Sequence, residues 1–506
     1  MITRPPRVFT IPASAPFVPT LIGALRDGTL VEGFSDTGDP LALASATLYL
    51  PTRRACRLAR DLFLDATGAD AAILPRIVPI GDIDEDELVF ADVANPGALD
   101  LTDELGGLER RLMLAQLVTK WAASQAIRRE GSAPLVANNP ASALALADAL
   151  ARLMDDMTTR QVPWDKLDTL VPGEHDEYWQ LTLRFLNEIV RNAWPAILAE
   201  RGRIEPAERR DLLIAAEAKR LAAHTSGPVI AAGSTGSMPA TATLIETISK
   251  LPHGAVVLPG LDTDLDEAAW DDIAGRRDAD GRAVVAPAIG HPQFAMQALL
   301  RRIGITRDEV RLLGEPASHG REAVVSEVMR PADTTDQWRE LEQRGLRLDD
   351  ALAHVTVIAA ANAEEEALAI AVALREILET DGKTAALVTP DRALARRVHA
   401  AVARWNVAVD DSGGDALAER RPACSRGSLS RRHSRDWSRS RCWRCSSIRC
   451  CGWVPAPTPM RNPSRRSSRR CCAVRARRPE PPALRTRSPR SAPMSTSSIA
   501  LIRAAG

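Results

Sequence analysis

Cysteine is almost missing from most of this chain. Of 506 residues, the first 420 hold one cysteine, Cys56, and the other seven lie beyond. A body with a single thiol has no disulfide framework and fits a reducing, cytoplasmic setting. Lysine is missing after residue 420, and acid nearly so: Arg421–Gly506 contains 21 Arg, one Asp and one Glu, a net charge of +19. Residues 1–420 carry −19, so the overall zero is a cancellation between two unlike parts. No apolar run reaches the roughly 18–20 residues of a membrane span. Met1–Arg7 lacks the apolar stretch of a secretory leader. No internal repeat is visible. The acidic body argues against a protein that simply coats DNA, while leaving room for a local basic groove.

The body reads as α/β. Val8–Ile11, Thr47–Leu50 and Ile73–Ile80 are short apolar segments with strand character, separated by helical patterns over Phe17–Leu25 and Pro51–Ala66. That β-α-β-α-β order predicts a parallel sheet covered by helices. From about Leu101 to Ala223 the apolar spacing becomes three to four, predicting long helices over Leu108–Gln125, Ala141–Met154, Tyr178–Ala199 and Ala207–Ala222. Strands then resume at Pro228–Ala232 and Gly254–Leu258, with a helix over Ala240–Lys250 between them. A helical module is therefore expected inside an α/β domain. Asp271–Pro292 reads as loop. A second α/β unit is expected from about residue 350, with strands Val355–Ala359, Thr384–Thr389 and Val407–Val409 and helices Ala363–Leu378 and Arg392–Trp405. The expected division is 1–100, first part of lobe 1; 101–224, the inserted helical subdomain; 225–345, the rest of lobe 1 and a connector; 350–419, a second lobe cut short; and 420–506, the tail.

The tail mixes Arg, Ser, Pro, Ala, Cys and Trp with no sustained period. A disordered basic arm on nucleic-acid phosphates is one reading. Cys442 and Cys445, followed by Cys450–Cys451 and Cys471–Cys472, invite a zinc reading, but adjacent cysteines make awkward ligands and His433 is the sole histidine nearby. The expected explanation is GC-rich coding DNA translated out of frame, which yields this composition. Function is therefore read from residues 1–419.

Several constellations could carry chemistry. Pro12–Phe17 sits where a nucleotide-binding P-loop would, but it has no glycine to wrap a phosphate and no lysine. Thr52, Arg53 and Arg54 lie between a strand's carboxyl end and a helix start, where an anion would be welcome and where arginine otherwise opposes the helix dipole. Ser234 and Thr235, within Gly233–Gly236, occupy the corresponding turn after a later strand. Thr389 and Arg392 repeat the layout in the second unit, with Arg396 and Arg397 following on that helix. These are the candidate DNA-backbone contacts; a solvated face or an ordinary turn is the bland alternative for each. Asp262, Asp264 and Asp266 offer alternating hard oxygens for Mg²⁺ or Ca²⁺ in a metal-dependent phosphoryl-transfer enzyme, against a solvated loop that caps a helix. Asp82–Glu87 is similarly acidic. No residue is assigned as catalytic.

The segments Val8–Pro12, Tyr49–Ala55, Pro75–Leu88, Ala231–Ala240, Val257–Asp266, His291–Gln293, Ser326–Pro331 and Leu387–Arg396 together resemble the AddB family of the alphaproteobacterial type, over about residues 7–418. The resemblance implies two RecA-like lobes of superfamily 1 helicase type with inserted helices. It implies a role in double-strand break repair, in which the subunit scaffolds DNA ends and channels one strand. An AddA partner would supply ATP-driven translocation. The family continues into a nuclease domain that uses Mg²⁺, carboxylates and a lysine, with cysteines around a 4Fe–4S cluster. None of those residues has a counterpart here, so this chain is expected not to cut DNA.

Overall fold

Apolar runs with almost no polar interruption make the strands. Val8–Ile11 (β1) and Val229–Ala232 (β4) are buried at every position, as expected where both faces of a sheet are covered. The computed structural model describes residues 5–34, 41–68, 73–81, 101–128, 139–170, 177–223, 227–278, 280, 282–341, 345–414 and 499–502. They fall into two compact units, Met1–Ala353 and His354–Gly506.

The first unit is built on a six-stranded parallel sheet. Thr47–Leu50 is β2, Arg76–Pro79 β3 and Gly254–Pro259 β5; Arg276–Arg277 (β6) and Ala283–Val285 (β7) form a separate hairpin; Arg311–Leu312 is β8. The sheet order is β3-β2-β4-β5-β1-β8, every pair parallel. Alternate residues serve opposite faces. Phe9, Leu48, Leu50, Ile77, Ile230 and Val257 join a core with helices Phe17–Arg26 and Arg53–Thr67. Val8, Tyr49, Val78, Ala231, Val256 and Leu258 join the other, with helices Pro206–Ala223, Pro239–Lys250, Glu267–Ile273 and Phe294–Ile303.

Between β3 and the last of the helices before β4 lies a helical module with its own core. Helices Gly107–Arg128, Pro140–Thr159, Glu177–Leu186 and Trp194–Arg201 pack around Leu114, Val118, Leu150, Phe185 and Trp194, with Trp121 edge-on to Phe185 at 4.9 Å. Asn139 caps the second helix by accepting from Ser142 N at 2.9 Å. The expected single helix over 178–199 is interrupted by a π-helical stretch, Asn187–Ala193. Pro195 has no N–H, so the Arg191 carbonyl lacks its α-helical donor. The ladder widens instead, and Trp194 N reaches Ile189 O, five residues back.

Three expectations are corrected. Asp271–Pro292 is not all loop: it holds the end of helix Glu267–Ile273 and the β6–β7 hairpin. In the second unit Val355–Ile358 (β9) does form, but it pairs antiparallel with Ile499–Ile502 (β10), not parallel with Thr384–Thr389. Thr384–Thr389 and Val407–Val409 run without a strand ladder, and Val388 is 91% exposed. A ladder needs a hydrogen-bonding neighbour, and β9 is paired with β10. Helices Ala363–Leu378 and Arg392–Val402 pack on each other through Ala367, Ile370, Ala371, Leu394, Val398 and Val402, and Leu387 and Val407 lie half-buried against that core without strand pairing. Asp82–Glu87, the tail cysteines and His433 lie outside the described residues, as does the tail apart from β10. Among the described residues, no helix is long and apolar enough to cross a membrane.

Candidate functional site

Parallel α/β sheets bind ligands at the carboxyl ends of their strands, near the point where strand order reverses. Here β1 is interior, between β5 and β8, and the chain leaves it to build the far half of the sheet. The loops that follow β1, β2, β4 and β5 therefore share one edge. Gly233 documents how closely three of them meet. Its φ is +78°, and a Cβ there would lie 3.3 Å from both Phe17 and Pro51. The positive φ strains any larger residue here, and the two neighbours would have to give way by a few tenths of an ångström.

This edge brings together Thr52, Arg53 and Arg54 with Ser234 and Thr235. Arg53 and Arg54 are exposed in the first turn of helix Arg53–Thr67, a turn whose own sequence contains no acidic residue. Thr52 is that helix's N-cap, its hydroxyl oxygen accepting from Ala55 N at 3.1 Å. Ser234 closes its own turn by accepting from Gly236 N at 3.3 Å. Both hydroxyl oxygens thus have a local task that the spacing did not reveal.

The β1 loop is held by an internal anion. Ser14 donates through both its amide and its hydroxyl to Glu322 Oε1, each at 2.8 Å. Ala317 N donates in turn to Ser14 Oγ at 2.9 Å. Glu322 sits in helix Arg321–Val328, outside every motif singled out from the sequence, and only the fold carries it to residue 14.

The aspartate loop after β5 is equally committed. Asp262 Oδ1 accepts from Asp264 N, Leu265 N and Ser326 Oγ, each at 3.0 Å. Asp266 caps helix Glu267–Ile273 through Ala269 N at 3.0 Å and pairs with Arg330. Arg330 is completely buried and also grips Glu327 with two bonds, at 2.8 and 2.6 Å. Desolvation raises the Asp264 pKa from its ordinary value, and the charges of Asp262 and Glu322 raise it further. Asp262 thus closes its own turn and holds Ser326, and Asp266 is both a helix cap and an ion-pair partner. Among the described residues no group of three or more His, Cys, Asp or Glu could hold a metal.

Three segments quoted for the family resemblance prove to be linked here. Gln293 accepts from Asp262 N at 3.2 Å and donates to Gly260 O at 3.0 Å. His291 Nε2 lies 2.7 Å from Met329 O, and Ser326 and Arg330 reach the aspartate loop. Polar residues scattered over Val257–Asp266, His291–Gln293 and Ser326–Pro331 are one hydrogen-bonded frame beneath the edge.

Thr389 and Arg392 belong to the second unit. Thr389 Oγ1 accepts from Asp391 N at 3.1 Å. Arg392 forms a two-pronged pair with Asp411, at 3.0 and 2.7 Å, and donates to Gly414 O at 2.7 Å. The Arg392 guanidinium holds the Asp411 carboxyl well below the usual range. Arg397 pairs with Glu364 at 3.0 Å. Cys56 is a free thiol, buried in the sheet core.

No protein-family model matches the chain, and no curated protein matches it.

Proposed function

We propose that this chain is a helicase-like scaffold of the AddB type, which binds DNA ends for recombinational repair and does not hydrolyse ATP itself. The observation that carries the reading is the state of the β1 loop. Its Ser14 amide and hydroxyl are given to Glu322, and no glycine or lysine stands between Pro12 and Phe17 to hold a triphosphate. A motor lobe needs that loop open; a lobe that only guides a strand does not.

Two further features support it. The interior position of β1 and the helical module ahead of β4 suit a RecA-like lobe with an inserted subdomain. Arg53 and Arg54, exposed beside the Ser234–Thr235 turn, suit phosphate contact at a helix start. In this reading the second unit begins the second lobe, with Thr389 and Arg392 as its strand-end residues, and an AddA partner drives translocation.

The test is binding of the full chain to blunt duplex ends and to single strands across a salt series of about 50–200 mM. Arg53→Ala with Arg54→Ala should weaken binding and lower the salt slope by about one for each phosphate left without its arginine. Identical affinity and slope in the double variant would remove the edge from the DNA path. Thermal stabilisation by Mg-ATP would overturn the closed-loop reading.

A further inference from the structure

Arg321 and Glu322 are neighbours at the start of helix Arg321–Val328, yet they hold two separate parts of the molecule. Glu322 takes both Ser14 donors at the end of β1, each at 2.8 Å. Arg321 donates from Nε to Ala351 O at 2.8 Å and from Nη2 to Ala353 O at 2.9 Å. Ala353 is the last residue of the first unit. The two carbonyls close the short helix Leu348–Leu352, whose Ala351 is fully buried. Gly320, at φ +68°, turns the chain into the strap helix, and His319 Nδ1 accepts from Arg321 N at 3.1 Å.

We propose that Arg321 and Glu322 form a strap that couples the loop after β1 to the peptide at the boundary of the two units. The contacts are charge-assisted bonds to backbone or hydroxyl groups at both ends, stronger than neutral ones, and the two side chains come from adjacent residues. Whatever lifts Glu322 from Ser14 shifts the start of that helix and loosens the grip of Arg321 on residues 351 and 353. The coupling does not depend on DNA binding, so it stands or falls separately from the reading above.

Amide hydrogen exchange on the full chain tests it. Ser14→Ala removes the hydroxyl that donates to Glu322 and accepts from Ala317 N. Together with Glu322→Ala, it should speed exchange at the Ala351 and Ala353 amides by about tenfold, although Ser14 touches neither. Arg321→Ala should do the same, and Ser14→Ala combined with Arg321→Ala should exchange no faster than Arg321→Ala alone. Wild-type rates at 351 and 353 in Ser14→Ala would overturn the proposal, as would multiplying effects in the double variant. An equal rise at the Val256 amide in β5 would mean global loosening and would also overturn it. Should Glu322→Ala fail to fold, Ser14→Ala decides alone, because Ser14 is exposed and belongs to neither sheet core.

Discussion

Glu217 is fully buried, yet its carboxyl is held below the ordinary carboxylate value of 4.5. Burial pushes it up; hydrogen bonds from Arg220 and Tyr49 and the charges of Arg220 and Arg76 more than offset that. Arg220 binds it at 2.7 and 2.9 Å, Arg76 stands 3.6 Å away, and the Tyr49 hydroxyl donates to it. Removing one partner would leave a buried charge exposed to a low-dielectric core. Arg220→Met should therefore cost about 3–5 kcal/mol in urea unfolding. The pH sign follows. A depressed folded pKa gives stability that is present above the unfolded value near 4.5 and lost as pH falls through the folded value. Glu205 runs the other way: burial outweighs Arg110 and Trp194 and raises its pKa. Its contribution is present below the unfolded value and lost as pH rises through the folded one. Glu217→Gln should flatten the acid limb of stability measured from about pH 3 to 6, and Glu205→Gln should steepen it.

At the scale of elements, Thr52 separates two roles that its sequence position confounds. Its oxygen caps helix Arg53–Thr67. Thr52→Ala should cost about 1 kcal/mol of stability and leave DNA affinity at the wild-type value, in contrast to the Arg53 and Arg54 variants. Weakened binding without a stability loss would return Thr52 to the ligand. The strands and helices up to residue 80 were legible because short apolar runs alternate with helical patterns. β8 was not legible: it has two residues, Arg311 and Leu312, and owes its existence to Leu313 N donating to Thr10 O at 2.8 Å and to its place beside β1. Thr384–Thr389 failed in the opposite direction. Its apolar pattern promised a strand, but a ladder needs a neighbour, and β9 pairs elsewhere.

Across the whole molecule, the charge is split: −19 before residue 421 and +19 after it. A chain whose net charge is zero through two large opposite blocks should associate at low salt. Light scattering near pH 7 should show the full chain aggregating below about 50 mM salt and dispersing as screening increases. The chain without residues 415–506 should stay dispersed throughout. Equal scattering from the two would mean that the blocks do not attract between molecules.

Composition and periodicity alone determined the α/β class, the helical module ahead of β4, the absence of a phosphate-wrapping loop at β1 and the break near residue 420. These follow from local properties: alternation, helical spacing, missing glycine and lysine, and charge counts. Only the tertiary structure decided what the polar residues do. Ser14 and Glu322 are separated by 308 positions and meet through hydrogen bonds of 2.8 Å. Asp262 and Ser326 are 64 apart, as are Asp266 and Arg330. A carboxylate's partner is set by which strand ends share an edge, and strand order is fixed by packing across both faces of the sheet. No local pattern records it.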